Sequence, residues 1–437
     1  MVRISLIVVV IVLQLFTGCS YPGHRNIRLT GDGAWCWFSD PRAVYLDYGK
    51  GKVLTGWVSS KGNVEACVYD LDSDSIFISQ LYMDLQQDDH NNPAFVLLPD
   101  GSPVAMYTRH SGKDGIFINH SEFTEGEIMF SKPDTVFPYN EEQVEKYMRL
   151  TFTYANPFLI KNENNRIYCF GRWTGFKPNI IWSDDNGLTW SKPQVMISRE
   201  PFDVRNRPYV KYFSDGRSRI HISFTDGHPR NEPLNSVYYA YYEAGSFFRV
   251  DGSRICGIEE LPFSPEEASK VYEASDSTGR AWIWDIVADA SGFPAIVYTR
   301  CPEEDDHRYH YARFNGRGWM DAELCKAGKW FPETPEGKTE PEPHYSGGLC
   351  INPSNPRLVY LSREVDSVFE IERWELLNSG DRWKITSLTH GSEFNNVRPF
   401  VPAGIDQSSK EIVLWMENHG YIHYEDFNSS IVGIILD

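Results

Sequence analysis

An all-β fold, a seven-bladed β-propeller filling one domain, is what the sequence predicts, on three observations. Helical periodicity is nearly absent from the 437 residues. Short β-branched and aromatic runs alternate instead with Gly, Asn, Asp and Ser turns, the pattern of a strand-rich chain. One unit, a turn followed by a short alternating run, recurs seven times along the sequence. Each copy then owns about 60 residues, enough for a four-stranded blade of roughly 40 to 50 residues plus loops.

The elements follow in chain order. "MVRISLIVVVIVLQLFTGCS" has Arg3, an apolar run through Phe16 and small residues before Cys19. That run is too short, with too little flanking charge, to be kept as a membrane span, and it reads as a signal segment. Residues 1–18 are expected to be a bacterial lipoprotein signal peptide and Cys19 the lipidated first residue. Residues 19–29 would be a linker from the lipid anchor in the cell envelope, and residues 30–437 the propeller. The seven turn-and-strand copies are "YGKGKVLTGWV", "LPDGSPVAMYT", "NENNRIYCFGR", "FSDGRSRIHISFT", "DASGFPAIVYT", "NPSNPRLVYLS" and "DQSSKEIVLWM". Only "SPEEASKVYEA", 264–274, has a good helical pattern, as an insertion between strands.

Several copies align at their ends. "VAMYTRH", "IYCFGRW", "AIVYTRC" and "LVYLSRE" put Arg109, Arg172, Arg300 and Arg363 at one register. Such ends either gather cations at one mouth of a central channel or brace neighbouring strands. "WSDDNGLTW" contains an Asp-box, Ser183 to Trp190, a hairpin brace of sialidase-type and related propellers that marks fold and not chemistry. Seven cysteines follow Cys19, an odd number without a CxxC, several inside apolar runs. Buried free thiols are expected, not a disulfide framework.

Charge excludes one class of partner. Lys plus Arg number 42 against 60 Asp plus Glu, a net charge of −18 with no long basic run. Nucleic acid needs concentrated cation and is not a partner to expect. A local set of cations can still hold an anion.

"GAWCWFSDPRAVY", "DDHNNPAFVLLPDG", "RPYVKYFSDG", "FTDGHP", "DDHRYHYARFNG" and "YSGGLCINPSNPRLVYLSRE" resemble the BNR-repeat propellers that hold the ulvan lyases of polysaccharide lyase families 24 and 25, and related propellers acting on rhamnose–glucuronate glycans. The likeness runs from about residue 30 to about residue 400. It implies a polysaccharide lyase that cleaves a rhamnose–uronate linkage by β-elimination, acting on an anionic polysaccharide as a monomer, with no cofactor required. It also implies a site: the pair His90 and His110, Tyr154 in "TYANP", Arg172 in "YCFGRW", and Tyr209 in "RPYVKY", with Tyr212 a nearby competitor. Some relatives carry a metal near the later blades. Cys301, His307, His310 and His344 are possible ligands here, but their spacing fits no standard zinc signature, and the metal stays unassigned.

The chemistry asks for these residue types. The C5 proton of a uronate is weakly acidic, and neutralising the adjacent carboxylate lets an enolate-like transition state form. Arg172 and His110 are the expected neutralisers, since a guanidinium gives a carboxylate two parallel hydrogen bonds. His90 is the expected base, because histidine transfers protons near neutral pH. Tyr154 is the expected acid, the two exchanging roles with the C5 epimer. His90 precedes one strand of a hairpin and His110 follows its partner, so antiparallel pairing brings both to one place. Asp88 and Asp89 either cap the turn or orient His90, His228 is a rim residue or a substrate contact, and Trp35, Trp37, Trp282 and Trp284 serve blade packing or sugar stacking. The competing readings are a glycoside hydrolase such as a rhamnosidase, which usually needs two flanking carboxyl groups, and a non-catalytic glycan-binding lipoprotein.

Overall fold

The computed structural model describes residues 24–47, 51–124, 127–329, 346–378, 380–404 and 410–436. The expected signal segment, Cys19 and His344 lie outside the described residues. Seven antiparallel sheets follow one another along the chain. Blade 1 is Ala43–Leu46, Lys52–Val58, Val64–Asp70 and Ser75–Tyr82. Blade 2 is Ala94–Leu97, Pro103–Tyr107, Ile116–Asn119 and Asp134–Val136. Blade 3 is Asn156–Ile160, Arg166–Arg172, Pro178–Ser183 and Gln194–Val195. Blade 4 begins Val210–Ser214, Arg219–Thr225, Val237–Glu243 and Ser246–Phe248, and adds Arg254–Gly257 and Ser269–Tyr272. Blade 5 is Arg280–Ala288, Pro294–Glu303, Asp306–Phe314 and Trp319–Gly328. Blade 6 is Leu349–Asn352, Asn355–Val365, Val368–Leu376 and Trp383–Ser387.

Blade 7 closes the ring. Asn395–Phe400, Glu411–His423 and Asp426–Leu436 take their fourth strand from the other end of the chain, His24–Thr30. Residues 24–29, read from the sequence as part of the linker, thus belong to a propeller strand. "HRNIRLT" carries an alternating pattern, and its pairing partner is some 400 residues away, beyond the reach of local reading.

The repeat was read correctly. The strand portion of each of the seven copies is the second strand of a different blade. First strands of successive blades touch one another, which makes them the inner wall of the ring. Both faces of a blade are covered by its neighbours, so the second strands read as nearly continuous apolar runs rather than strict alternation. Six buried apolar clusters join neighbouring blades: 7 with 1, 1 with 2, 2 with 3, 3 with 4, 4 through 5 to 6, and 6 with 7.

Two local expectations have different outcomes. The Asp-box forms its brace: Ser183 Oγ accepts from Gly187 N at 2.9 Å, Asp185 accepts from Thr189 N at 2.8 Å, and Trp190 Nε1 donates to Gly187 O at 3.0 Å. The helix expected at 264–274 is absent. Pro265–Glu267 makes one 3-10 turn, and Ser269–Tyr272 then joins the edge of Val237–Glu243. An open sheet edge wins over weak local propensity. The α-helix among the described residues is Glu141–Tyr147, capped by Asn140 and ended by Met148 at φ +54. All seven later cysteines are free, six of them buried.

Candidate active site

The segment 33–42, "GAWCWFSDPR", fills the centre of the ring. Cys36 N donates to Asn92 Oδ1 (3.0 Å) and Asp40 N to Asn156 Oδ1 (2.8 Å). Lys211 Nζ donates to Trp37 O, and Arg398 Nη1 donates to Trp35 O at 2.6 Å. Those partners come from blades 2, 3, 4 and 7. So short a segment reaches all four only by crossing the axis. On it stands an open pocket of about 790 Å³.

The pocket's first wall is the hairpin of blade 2. Asp88 caps the 3-10 turn Asp89–Asn91 by accepting from His90 N at 2.9 Å. It does more than cap. Its Oδ1 lies 2.6 Å from His90 Nδ1 and its Oδ2 2.8 Å from His110 Nδ1. The register Ala94↔Met106 brings the two ends of the hairpin together, and the imidazoles stack with centroids 4.0 Å apart and planes 13° apart. Tyr424 of blade 7 sets its ring edge-on against both. Asp89 also lies 3.2 Å from His90 Nδ1, and its Oδ2 accepts from Arg398 at 2.5 Å and from Tyr421.

The second wall is blade 3. Ser111 N donates to Thr153 Oγ1 at 2.9 Å, and Gly112 and Phe152 exchange backbone hydrogen bonds. Thr153 and Arg172 exchange theirs as well, at 3.2 and 2.9 Å. Tyr154 is thereby fixed beside Arg172, at φ +67. Gly171 permits this: a Cβ there would sit 2.4 Å from Tyr154 O and 2.2 Å from Trp173 Nε1. Arg172 is 6% exposed. Its Nη1 donates to Tyr209 OH at 2.5 Å, and its Nη2 lies 3.5 Å from His110 Nε2. The guanidinium lies between the Tyr154 and Tyr209 rings, 5.2 and 5.0 Å from their centroids. Among the described residues, Arg172 Nε and Tyr154 OH are buried with no hydrogen-bond partner.

All five expected pocket residues, His90, His110, Tyr154, Arg172 and Tyr209, line this one pocket. Tyr212, the competitor of Tyr209, packs into the core against Phe170 with ring centroids 4.5 Å apart. Of the four arginines at one register, only Arg172 serves the pocket. Arg109 bonds to Asp114, Arg300 to Asp321 and Arg363 to Glu372. Among the described residues, the possible metal ligands Cys301, His307 and His310 form no metal-binding group. His307 uses both ring nitrogens, on Ser346 Oγ and Glu304 O, and His310 is bonded to Asp321 at 2.9 Å. Donor atoms do converge in the pocket, in Cys36–Asp89–His90 and Asp88–His90–His110. In the second set the Asp88 oxygens lie 2.6 and 2.8 Å from the two Nδ1 atoms.

The electrostatics divide the imidazoles. Burial disfavours charge on His90, but Asp88 outweighs it, and the ring ends well above the ordinary histidine range. Burial and the charge on His90 hold His110 below that range against the pull of Asp88, and Arg172 adds to the depression. Burial opposes the Asp88 carboxylate too, yet His110 and His90 keep it far below the usual value. The opposite shifts favour positive charge on His90 over His110. Burial also pushes the Tyr154 phenol well above its ordinary value, so it keeps its proton.

Sequence reading missed part of the lining. Arg207 and Arg230 face the pocket, as do Tyr421 and Tyr424 from blade 7. His228 is more than a rim residue. Its ring stands edge-on to Trp282 at 4.2 Å, and its Nδ1 accepts from Arg230 N at 3.1 Å. Burial and the nearby arginines hold it neutral, so Nε2 bears the proton and is a neutral donor. Trp282 both packs against Trp37 and lines the pocket.

Among solved structures, a PL25 ulvan lyase shares 13% identity with this chain at a TM-score of 0.65, with 93% of each chain covered. A PL25 ulvan lyase bound to -[GlcA(1-4)Rha3S]- shares 12% at 0.64, again with 93% of each covered. Polysaccharide lyase Uly1 shares 11% at 0.59, covering 94% of this chain and 99% of its own. These likenesses are of fold. No curated protein matches the chain in sequence. The sequence model of the BNR repeat-containing family, BNR_4, matches residues 53–327, more than half of the chain, and this seven-bladed propeller belongs to that family.

Proposed function

We propose that the protein is a polysaccharide lyase that cleaves a rhamnose–uronate linkage in an anionic glycan by β-elimination. One observation carries the reading: a stacked histidine dyad on a shared carboxylate faces a guanidinium without an acid and a phenol without a partner, all in one open pocket. The bound oligosaccharide of the PL25 relative, glucuronate joined to a sulfated rhamnose, has the chemistry such a pocket would take.

The uronate carboxylate docks on the Arg172 guanidinium, which bonds to Tyr209 and approaches His110 and to which no carboxylate among the described residues is bonded. A well-placed donor to a developing negative charge is worth about 3 kcal/mol in the transition state. A carboxylate beside His110 also reverses the order within the dyad. The anion favours charge on the nearer ring, so His110 takes up the positive charge and His90 is left neutral, with Nδ1–H on Asp88 and a free Nε2 lone pair. His90 then removes the C5 proton. The C4–O bond breaks, its electrons leave with the oxygen, and the double bond forms between C4 and C5. Tyr154 OH gives its proton to that oxygen. Because burial raises its pKa, Tyr154 holds its proton in the resting pocket and is there as a donor and not as the base.

The charge distribution of the free pocket favours one variant of this scheme. His110, already neutral, could be the base while protonated His90 faces the carboxylate. Nitrogen NMR of the two rings, with and without a bound uronate, separates the schemes: the first moves the charge from His90 to His110, and the second leaves it in place. A hydrolase is less well supported. Among the described lining residues Asp89 is the single carboxylate, and Arg398 and Tyr421 hold it.

The test is incubation with ulvan or a desulfated rhamnose–glucuronate glycan, following the ultraviolet absorbance of unsaturated uronate. Its appearance with each new reducing end is the expected result. Reducing ends without it mean a hydrolase, and neither signal means a binding protein.

A further inference from the structure

Of the seven cysteines after Cys19, six lie in blade strands: Cys67, Cys169, Cys256, Cys301, Cys325 and Cys350. Cys36 does not. It stands on the segment that crosses the axis, and it lines the open pocket together with Asp89 and His90. Its backbone is held from both sides. The N–H is shared between Asp89 O and Asn92 Oδ1, each at 3.0 Å, and the carbonyl accepts from Arg42 Nη1 at 2.8 Å. The thiol is thereby fixed against the turn Asp89–Asn91. One donor atom each from Cys36, Asp89 and His90 lies within 4.8 Å of the other two. Asp89 is itself anchored: Arg398 and Tyr421 donate to its Oδ2, and Oδ1 is the oxygen 3.2 Å from His90 Nδ1. A buried thiol that only filled space would need neither a carboxylate oxygen nor an imidazole beside it.

We propose that Cys36, Asp89 and His90 form a binding site for a divalent transition-metal ion of the zinc type, and that the ion switches the pocket off. A thiolate, a carboxylate and an imidazole are zinc ligands, and the open pocket leaves a fourth position to water. Zinc bonds of about 2.0–2.3 Å set tetrahedral donors about 3.3–3.8 Å apart, so small side-chain rotations close these three on an ion. The thiolate and the carboxylate together cancel its charge, which lets a cation lodge beside Arg398. Sulfur selects against calcium and magnesium, which prefer oxygen, and the set Asp88, His90 and His110 has no sulfur. The consequence for catalysis rests on the lyase reading. An ion on His90 Nδ1 leaves the ring proton on Nε2, and an ion on Nε2 takes the lone pair itself. Either way His90 cannot accept the C5 proton. Zinc is then a reversible inhibitor whose site includes a residue, Cys36, that the reaction does not use.

The experiment takes the full chain, freed of metal by a chelator, and titrates it with Co²⁺ as a spectroscopic probe and with Zn²⁺ by calorimetry. Wild type should show the thiolate-to-cobalt charge-transfer absorption of the near ultraviolet, and Zn²⁺ should displace it. Cys36→Ser should lose that absorption and bind Zn²⁺ at least about 100-fold more weakly, since a lost ligand costs more than a lost outer partner. His90→Gln should lose the absorption with the thiol intact, which keeps the test valid if Cys36→Ser folds poorly. Cys325→Ser should keep it. On a rhamnose–glucuronate glycan, each protein is compared with itself with and without Zn²⁺. At about ten times its Kd, Zn²⁺ should slow wild type about tenfold, a chelator should restore the rate, and Cys36→Ser should be nearly insensitive. An absorption that persists in Cys36→Ser overturns the site. Zinc binding kept in Cys36→Ser and lost in His110→Gln moves the ion to the dyad and also overturns it. A wild type that binds no metal but has lyase activity sinks the site alone. The full binding pattern without unsaturated product on any glycan leaves the site standing and sinks the lyase reading. Zinc held by Cys36 without any fall in lyase rate overturns the switch.

Discussion

Blades 3 and 5 carry an arginine at the same register of their second strands, each with a tyrosine and a histidine close by, yet they come to opposite ends. In blade 5 one carboxylate, Asp321, meets Arg300, Tyr298 and His310 together. Every charge there finds an opposite within the cluster, and Arg300 stacks over Tyr272 at 4.0 Å. At the pocket the acid is used differently. Asp88 gives one oxygen to each of two imidazoles, and nothing acidic remains for Arg172, which turns to a phenol, Tyr209. The ingredients match; the ratio of acids to cations differs. A balanced cluster braces a blade, whereas an unbalanced one facing a cavity is ready for an anionic ligand. Strong perturbation alone does not separate the two, since blade 5 perturbs its groups as well.

The largest effect expected from this contrast is at His90. Removing a base that acts in the transition state costs about 10²–10⁴-fold, so His90→Gln should lower kcat by about 10³-fold with little change in KM. Steady-state kinetics on a rhamnose–glucuronate glycan checks it. A variant with full activity would reduce the dyad to another brace, and the contrast between the blades would vanish. Tyr154→Phe comes next and sharpens the comparison. Its hydroxyl is buried without a partner, and burying such a group without a hydrogen bond costs about 1–3 kcal/mol. The variant should therefore be at least as stable as wild type by thermal melting, while kcat falls about 10²-fold. In a balanced cluster the same change removes a hydrogen bond: Tyr298→Phe should lower the melting temperature.

Asp88→Asn tests the shared acid. An amide cannot accept from both rings, so His90 loses the partner that keeps it charged and its pKa falls. The pH profile should shift, and kcat should drop about 10²-fold. Stability depends on pH in a defined direction. The Asp88 pKa is depressed on folding, so its contribution is present above the unfolded value of about 3.9 and lost as pH falls toward the folded value. The His90 pKa is raised, so its contribution is complete below about 6.5 and lost as pH rises through the folded value. The stability gap between wild type and Asp88→Asn should be widest between about pH 4 and 6.5. Denaturant melts across that range check it, and a gap that is flat with pH would mean the carboxylate is only a turn cap.

Much of the ring was legible because its signal is local and repeated: one turn and one alternating strand per blade, which the seven copies report. The dyad was legible for a related reason, since both histidines belong to one hairpin and its register follows from the "PDGSP" turn. Other parts depend on contacts that no short window contains. His24–Thr30 has no visible role until the far end of the chain pairs with it. Tyr421, Tyr424 and Arg398 reach the pocket because blade 7 closes beside blade 1, and nothing in "HGYIHYED" announces that. Asp88 looked like a turn cap because it is one; its second oxygen matters only once His110 arrives. The register of the four arginines pointed to Arg172 and equally to three braces, because register fixes where a side chain starts and not whether an acid waits for it.

Arg300→Gln should have the smallest effect and is the sharpest check on the account. The Arg300 side chain is 20% exposed, so the ion pair with Asp321 is partly screened, and after the change Asp321 still accepts from Tyr298 and His310. Loss of the pair and of the stacking on Tyr272 should cost about 1 kcal/mol, read as a small fall in melting temperature. Activity should be unaffected, since no blade 5 residue of this cluster lines the pocket. The comparison with Arg172→Gln is then direct. Both variants remove a guanidinium from the same register. One should lose stability and keep kcat, and the other should lose about 10²-fold or more in kcat. If Arg300→Gln also slowed turnover, cations around the ring would act on substrate through their summed field, and local imbalance between acid and cation could no longer be what distinguishes the pocket.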